Sequence, residues 1–157
     1  MNYPINYIDI NVDTEFYSEL EDQYLKAETY LKTFRWCKEI KACSLYANLG
    51  KVFCIFLFEI DNTASVEDDF LWIIVGDIPS MYLDTFGAKS TKEVIENYVG
   101  LAEDWINNIK AGKDVYDCYP FNAEPTLELA DLLEKKISFM KSELIENMVN
   151  IKFEVKS

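Results

Sequence analysis

Glu59, Asp61, Glu67, Asp68 and Asp69 crowd one short polar stretch, EIDNTASVEDD, with no basic residue among them. Carboxylate oxygens gathered on a loop are the ligands that Ca²⁺ and Mg²⁺ take. A divalent-cation site is therefore one reading of this stretch, although the EF-hand spacing is missing; a solvated acidic loop is the other. Asp77 is the next candidate. In LWIIVGDIPSMYL it follows Gly76 at the end of an apolar run, close to Trp72 and ahead of Pro79 and Tyr82. Strand ends are where a sheet presents side chains to a ligand. The same Asp can instead bond backbone N–H groups two residues on and set a turn, with Gly and Pro fixing the angles. Trp36, Trp72 and Trp105 either line a pocket with Tyr82 and Tyr98 or fill the core, the usual place for aromatics at helical or strand spacing. Asp117, Tyr119 and Pro120 lie in a long connector, where a site or ordinary turn chemistry accounts for them equally.

Other chemistry is closed to this chain. It contains no histidine, so Ser-His-Asp and Cys-His nucleophilic machinery and any metal site that needs imidazole are excluded. Its five glycines are scattered, and neither a phosphate-binding Walker loop nor a dinucleotide fingerprint is present. Cys37, Cys43, Cys54 and Cys118 form no Cys-x-x-Cys pair. Cys43 and Cys54 fall where paired strands could bring them together, but apolar surroundings point to reduced core thiols. No cofactor is expected.

Charge is the dominant compositional feature. The 157 residues carry 28 acidic and 15 basic side chains, a net charge of −13. Such a field repels phosphate backbones and anionic membrane surfaces, so neither nucleic acid nor membrane is an expected partner. It steers the chain towards something basic, or serves solubility alone. The start, MNYPINYIDINVD, lacks the basic and apolar regions of a leader, and the longest apolar runs are too short to span a bilayer. The expectation is a cytoplasmic protein.

The elements that must position these residues follow from periodicity. Ile8, Ile10 and Val12 alternate with polar residues, predicting a short edge strand within residues 4–12. Asp13 then offers an N-cap. A helix to about Cys37 carries Tyr17, Leu20, Tyr24, Ala27, Leu31 and Phe34 on one stripe and an acidic opposite face that includes Glu15, Glu19 and Asp22. From Glu39 the period becomes two, with Cys43, Leu45, Ala47 and Leu49 on one side. Asn48 to Lys51 supplies a hairpin turn into the wholly apolar run Val52–Phe58. Phe70–Val75 is a second such run, and strands apolar on both sides are covered on both faces. MYLDTF is a short strand or a 3₁₀ turn.

Ser90-Thr91-Lys92-Glu93 is a capping box opening a helix to about Ala111, ended by Gly112, with Val94, Ile95, Tyr98, Ala102, Trp105, Ile106 and Ile109 inward. Pro125 suits the first turn of a last helix striped by Leu127, Ala130, Leu133, Ile137, Met140 and Leu144. VNIKFEVK, from Val149, alternates like an edge strand. The sum is a single α+β domain in the order α-β-β-β-(β)-α-α-β, a mainly antiparallel sheet of four or five strands packed by three helices.

WIIVGDIPSMYL resembles a strand-turn motif, Trp-x-x-Val-Gly-Asp-Leu/Ile-Pro-x-x-Tyr-Leu/Ile, of small bacterial proteins in an uncharacterised domain family. The downstream pattern is similar too: a Trp-bearing helix ending in Gly (Trp105, Gly112), then Asp117 and Pro120, then a final helix. The resemblance spans about Leu31 to Glu143. It implies a bacterial origin and assigns no activity to Asp77, Pro79 or Tyr82.

Three functions are consistent with these residues. The first is an acidic, non-enzymatic binding protein for a basic partner, with immunity against a cationic bacterial toxin as one concrete form. Its interaction face would draw on Glu15, Glu19, Asp22, Glu67, Asp68 and Asp69. The second is a self-associating structural or regulatory domain. The third is an enzyme that pairs Asp77 with another carboxylate, with or without Mg²⁺, and it requires Asp77 to face a concavity beside a second acid.

Overall fold

The apolar runs and their flanking turns build a five-stranded antiparallel sheet in sequential order, seen in a computed structural model that describes residues 3–13 and 15–154. Its strands are β1 (Ile5–Asn6), β2 (Cys37–Asn48), β3 (Phe53–Asn62), β4 (Phe70–Gly76) and β5 (Met81–Asp84). Helix α1 (Tyr17–Lys32) lies between β1 and β2 in sequence. Helices α2 (Thr91–Lys110) and α3 (Leu127–Phe139) follow the sheet, and α3 continues through a π-helical turn, Met140–Leu144, to Asn147.

The continuous apolar runs are covered on both faces, as expected, except at Val52, exposed in the turn before β3, and at half-buried Phe70. Phe53, Ile55, Leu57, Trp72 and Ile74 face α2 and α3, while Cys54, Phe56, Phe58, Ile73 and Val75 face α1. The molecule is therefore three-layered, with a sheet between two helical layers and one apolar core on each side.

Helix α2 follows its sequence signals closely. The Ser90 hydroxyl accepts the Glu93 N–H and donates to the Glu93 carboxylate, each at 3.3 Å. All seven residues predicted to face inward are buried. MYLDTF resolves as strand β5, and its outer edge is covered by the connector that follows α2.

Several expectations change. The alternation in residues 4–12 yields only the two-residue β1, because residues 7–9 turn into a 3₁₀ helix and leave Ile8 and Val12 exposed. Asp13 does not cap α1; its backbone N–H bonds the Asn11 side chain, and the helix starts at Tyr17 without a side-chain cap. The helix stops at Lys32 rather than Cys37, where the Thr33 hydroxyl bonds back to the Tyr30 carbonyl and the chain turns into β2. In β2 a register shift between Leu45 and Ala47 breaks the alternation. Cys43 and Leu45 face α1, whereas Tyr46 and Ala47 both enter the other core, as a β-bulge permits.

Pro125 falls just before α3 rather than in its first turn: Thr126 is the cap, its hydroxyl accepting the Leu129 N–H, and Leu127 at the first helical position stands exposed. The C-terminal alternation forms no ladder strand among the described residues. Val149 to Glu154 instead clip onto the start of α2, with a single bridge from Lys152 to Ser90, while Val155 and Lys156 lie outside the described residues. Buried Thr91 controls this clip. Its hydroxyl donates to the Val149 carbonyl and accepts the Ile151 N–H, which diverts that backbone from sheet pairing.

Candidate functional site

Asp77 sits at a corner that four elements hold from outside. Gly76 adopts φ +149°, and a Cβ there would overlap the Val52 carbonyl and lie 2.9 Å from the Phe53 Cα. Only glycine lets the end of β4 approach the β2–β3 turn this closely. The Asp77 N–H donates to the carbonyls of Lys51 and Val52 at 3.0 and 3.2 Å. Lys26 of α1 donates to the Gly76 carbonyl at 2.9 Å, and Lys136 of α3 donates to the Asp77 carbonyl. The Tyr98 hydroxyl donates to the Pro79 carbonyl at 2.6 Å. Among the described residues, the Asp77 carboxylate takes no part in this bonding, and the residue is exposed. The corner is thus built without the side chain that the turn reading would use.

Three concavities adjoin this corner. The largest, about 760 Å³, runs between α1 and the connector, with Tyr30, Phe34, Tyr82 and Tyr119 as aromatic wall and Asp22, Leu25 and Lys26 along the helix side. The second, about 310 Å³, lies between Asp77, Trp105 and α3. The third, about 180 Å³, is lined by Glu19, Asp22, Gln23, Lys26, Lys51 and Asp77.

The aromatic wall is a bonded unit. Tyr82 packs edge-on against Phe34 at 5.0 Å and Trp36 at 5.2 Å, and Tyr119 packs on Phe121 at 5.0 Å. The Tyr30 and Tyr119 hydroxyls share a hydrogen bond of 3.0 Å. Burial, reinforced by that bond, pushes the Tyr30 hydroxyl well above its ordinary range, and burial raises Tyr119 as well. Both stay neutral across the physiological range, so the wall offers π-faces and neutral hydroxyls. Faces of this kind attract guanidinium and ammonium groups.

The three tryptophans separate. Trp72 is sealed in the core, its indole N–H on the Ala88 carbonyl at 2.7 Å and its ring against Tyr46. Tyr82 is on the opposite face of the sheet, so Trp72 and Tyr82 share no cavity. Trp105 joins Asp77 and Pro79 at the second concavity. Asp117 is exposed on the connector; its charge, with those of Asp104 and Asp114, adds to the effect of desolvation in raising the Cys118 thiol.

The acidic residues also fall into two groups. Glu19 and Asp22 gather at the Asp77 end of the sheet, with Glu15 just before α1. Glu67, Asp68 and Asp69 lie at the other end of the sheet, just ahead of the seven-residue β4 that ends at Gly76, roughly 23 Å of strand away. Their loop is organised by Asn62, whose amide donates to the Asp68 carbonyl while its oxygen accepts the N–H groups of Ala64 and Ser65. Among the described residues no group of three His, Cys, Asp or Glu side chains is placed to hold a metal ion. Nor is any helix there long and apolar enough to cross a membrane.

Asp77 does share a concavity with second acids, Glu19 and Asp22, but Lys26 and Lys51 stand among them. Asp22 and Asp77 are both exposed. Sequence reasoning missed Tyr30, Phe34, Lys26 and Lys136 as site residues. Tyr30 had a signal, lying off the apolar stripe of α1; the lysines had none.

Fold and site define an acidic, three-layered α+β domain with an aromatic-walled groove at one end of its sheet. No family model, no curated protein and no solved structure matches the chain.

Proposed function

We propose that this chain is a non-enzymatic binding protein that recognises a basic polypeptide through the groove between α1 and the connector. Immunity against a cationic bacterial toxin is its concrete form. The observation that carries the reading is the meeting of Tyr30, Phe34, Tyr82 and Tyr119 with Asp22 in a groove of about 760 Å³, where Lys26 is the one basic residue of the lining, on a chain of net charge −13. Aromatic faces beside a carboxylate suit an Arg or Lys side chain in both its charge and its apolar stem. Tyrosine is enriched in protein–protein interfaces, whose rims are polar, and the long-range field would accelerate encounter.

The test is capture of basic proteins from a bacterial lysate on the immobilised chain at low salt, repeated with Asp22→Lys and with Phe34→Ala. Partners should elute at moderate salt and be lost from both variants. Elution of no basic protein, or capture indifferent to the groove substitutions, sinks the reading.

Self-association is the second reading, favoured by Leu127, Leu129 and Leu132, which leave apolar surface uncovered along α3. Light scattering that finds a monomer at high concentration removes it.

A further inference from the structure

We propose that the concavity over Trp105 is a binding site for an apolar carboxylate, adjoining at Lys26 the groove that would receive a basic partner. Its volume, about 310 Å³, is at the lower end of the range for small-ligand sites. Its lining has the composition of such a site: an apolar body of Ile78, Pro79, Trp105, Leu129, Leu132 and Leu133 with a few charged groups at one end. Trp105, Ile78 and Leu133 are nearly covered, whereas Leu129 and Leu132 at the rim remain 37% and 47% exposed, apolar surface that a ligand would cover.

The charged end fixes the ligand's chemistry. Lys26 and Lys136 arrive from different helices, and their ammonium groups bond the consecutive carbonyls of Gly76 and Asp77. Each ammonium has three N–H donors, so each retains donors for a carboxylate after its carbonyl bond. Against these two positive charges stands one carboxylate, that of Asp77. Glu19 and Asp22 lie in the adjoining concavity with Lys26, Lys51 and Asp77, so the excess of ammonium groups belongs to this lining and not to the whole corner. Acids beyond about 8 Å are screened at physiological ionic strength, and Lys136, which lies outside the concavity that holds Glu19 and Asp22, would meet the ligand's carboxylate at hydrogen-bond distance. An apolar cation would meet two like charges here, and a neutral apolar molecule would leave the free ammonium donors unused.

The test uses 4-phenylbutyrate as probe, with 4-phenylbutanol and 4-phenylbutylamine as neutral and cationic matches. NMR follows the Trp105 indole and the amides of Gly76 and Asp77. The acid should produce saturable shifts at all three and bind about tenfold tighter than the alcohol, as charge-assisted hydrogen bonds require. The amine should be weakest. Lys136→Gln, and Lys26→Met where the protein still folds, should erase the preference for acid over alcohol. Asp77→Asn should tighten the acid about twofold or more by removing the opposing charge. N-acetyl-phenylalanyl-leucine and its amide extend the test to a polypeptide C-terminus: tighter binding of this acid than of phenylbutyrate assigns the site to a chain end, and the reverse assigns it to a free acid. An alcohol that binds as well as the acid, an absence of saturable shifts, or a preference that survives Lys136→Gln overturns the proposal without any change to the wild-type fold.

Discussion

The Tyr119 hydroxyl accepts the backbone N–H of Tyr82 at 3.0 Å, joining the connector to the outer edge of the sheet across 37 residues of sequence. An edge strand presents unpaired N–H groups that invite pairing with another chain. Here a side chain occupies that donor, and the same oxygen meets the Tyr30 hydroxyl from α1. One phenol therefore ties together the sheet edge, a helix and the connector that forms the groove wall.

Tyr119→Phe should then cost about 1–3 kcal/mol, since it leaves the half-buried Tyr82 N–H without its acceptor. Tyr30→Phe should cost less, because it removes only one bond to a hydroxyl that keeps another partner. Urea denaturation of both variants and the double variant checks this, and the cycle should show coupling between the two positions.

Gly76→Ala should be among the most disruptive single substitutions in the chain. The new Cβ meets backbone, the Val52 carbonyl, rather than a side chain that could rotate away. A loss of about 2–4 kcal/mol is expected, with the midpoint of urea denaturation as readout. Gly100→Ala serves as control: nothing lies within 4 Å of its Cβ, and it should stabilise α2 slightly.

Thr91→Val preserves shape and removes both hydroxyl bonds to the C-terminal segment. A cost of about 1–2 kcal/mol is expected. Amide exchange at Ile151 should quicken by more than the global loss alone explains, because the clip opens locally.

Alkaline pH should destabilise the fold before it affects anything else in the core. Burial pushes the Cys54 thiol up from 9.0 to about 12, and raises Cys43, Tyr30 and Tyr98 above their ordinary values. Between about pH 9 and 12 the unfolded chain gives up protons that the folded chain retains, so stability falls as pH rises. It is present in full below pH 9. Denaturant midpoints measured from pH 7 to 11 should decline only above pH 9. A thiol reagent at pH 8 should label half-buried Cys37 and Cys118 while Cys43 and Cys54 wait for unfolding.

How much of this was legible beforehand differs from element to element. Helix α2 was legible nearly to the residue because its signals are local: a reciprocal cap at Ser90 and Glu93, a stripe at helical spacing and a closing glycine. The two apolar runs identified β3 and β4 as covered on both faces for a similar reason, since runs this short, bounded by turns and rich in β-branched and aromatic residues, are hidden from water as central strands. The terminal strand failed because Thr91, 60 residues from Ile151, competes for the same backbone groups. The alternation in β2 failed at a bulge, where one extra residue moves Ala47 to the other core.

Residue types and near-neighbour spacing alone determined the net charge, the exclusion of imidazole chemistry and the presence of a two-faced sheet, the first two following from types and the third from spacing. Tertiary structure alone decided that Trp72 and Tyr82 face opposite cores and that Tyr30, Tyr82 and Tyr119 form one wall. It also decided that Lys26 and Lys136 meet at the corner beside Asp77. Those relationships join residues tens of positions apart through loop closure and strand register, and no local pattern of side chains encodes where a closed loop brings its ends.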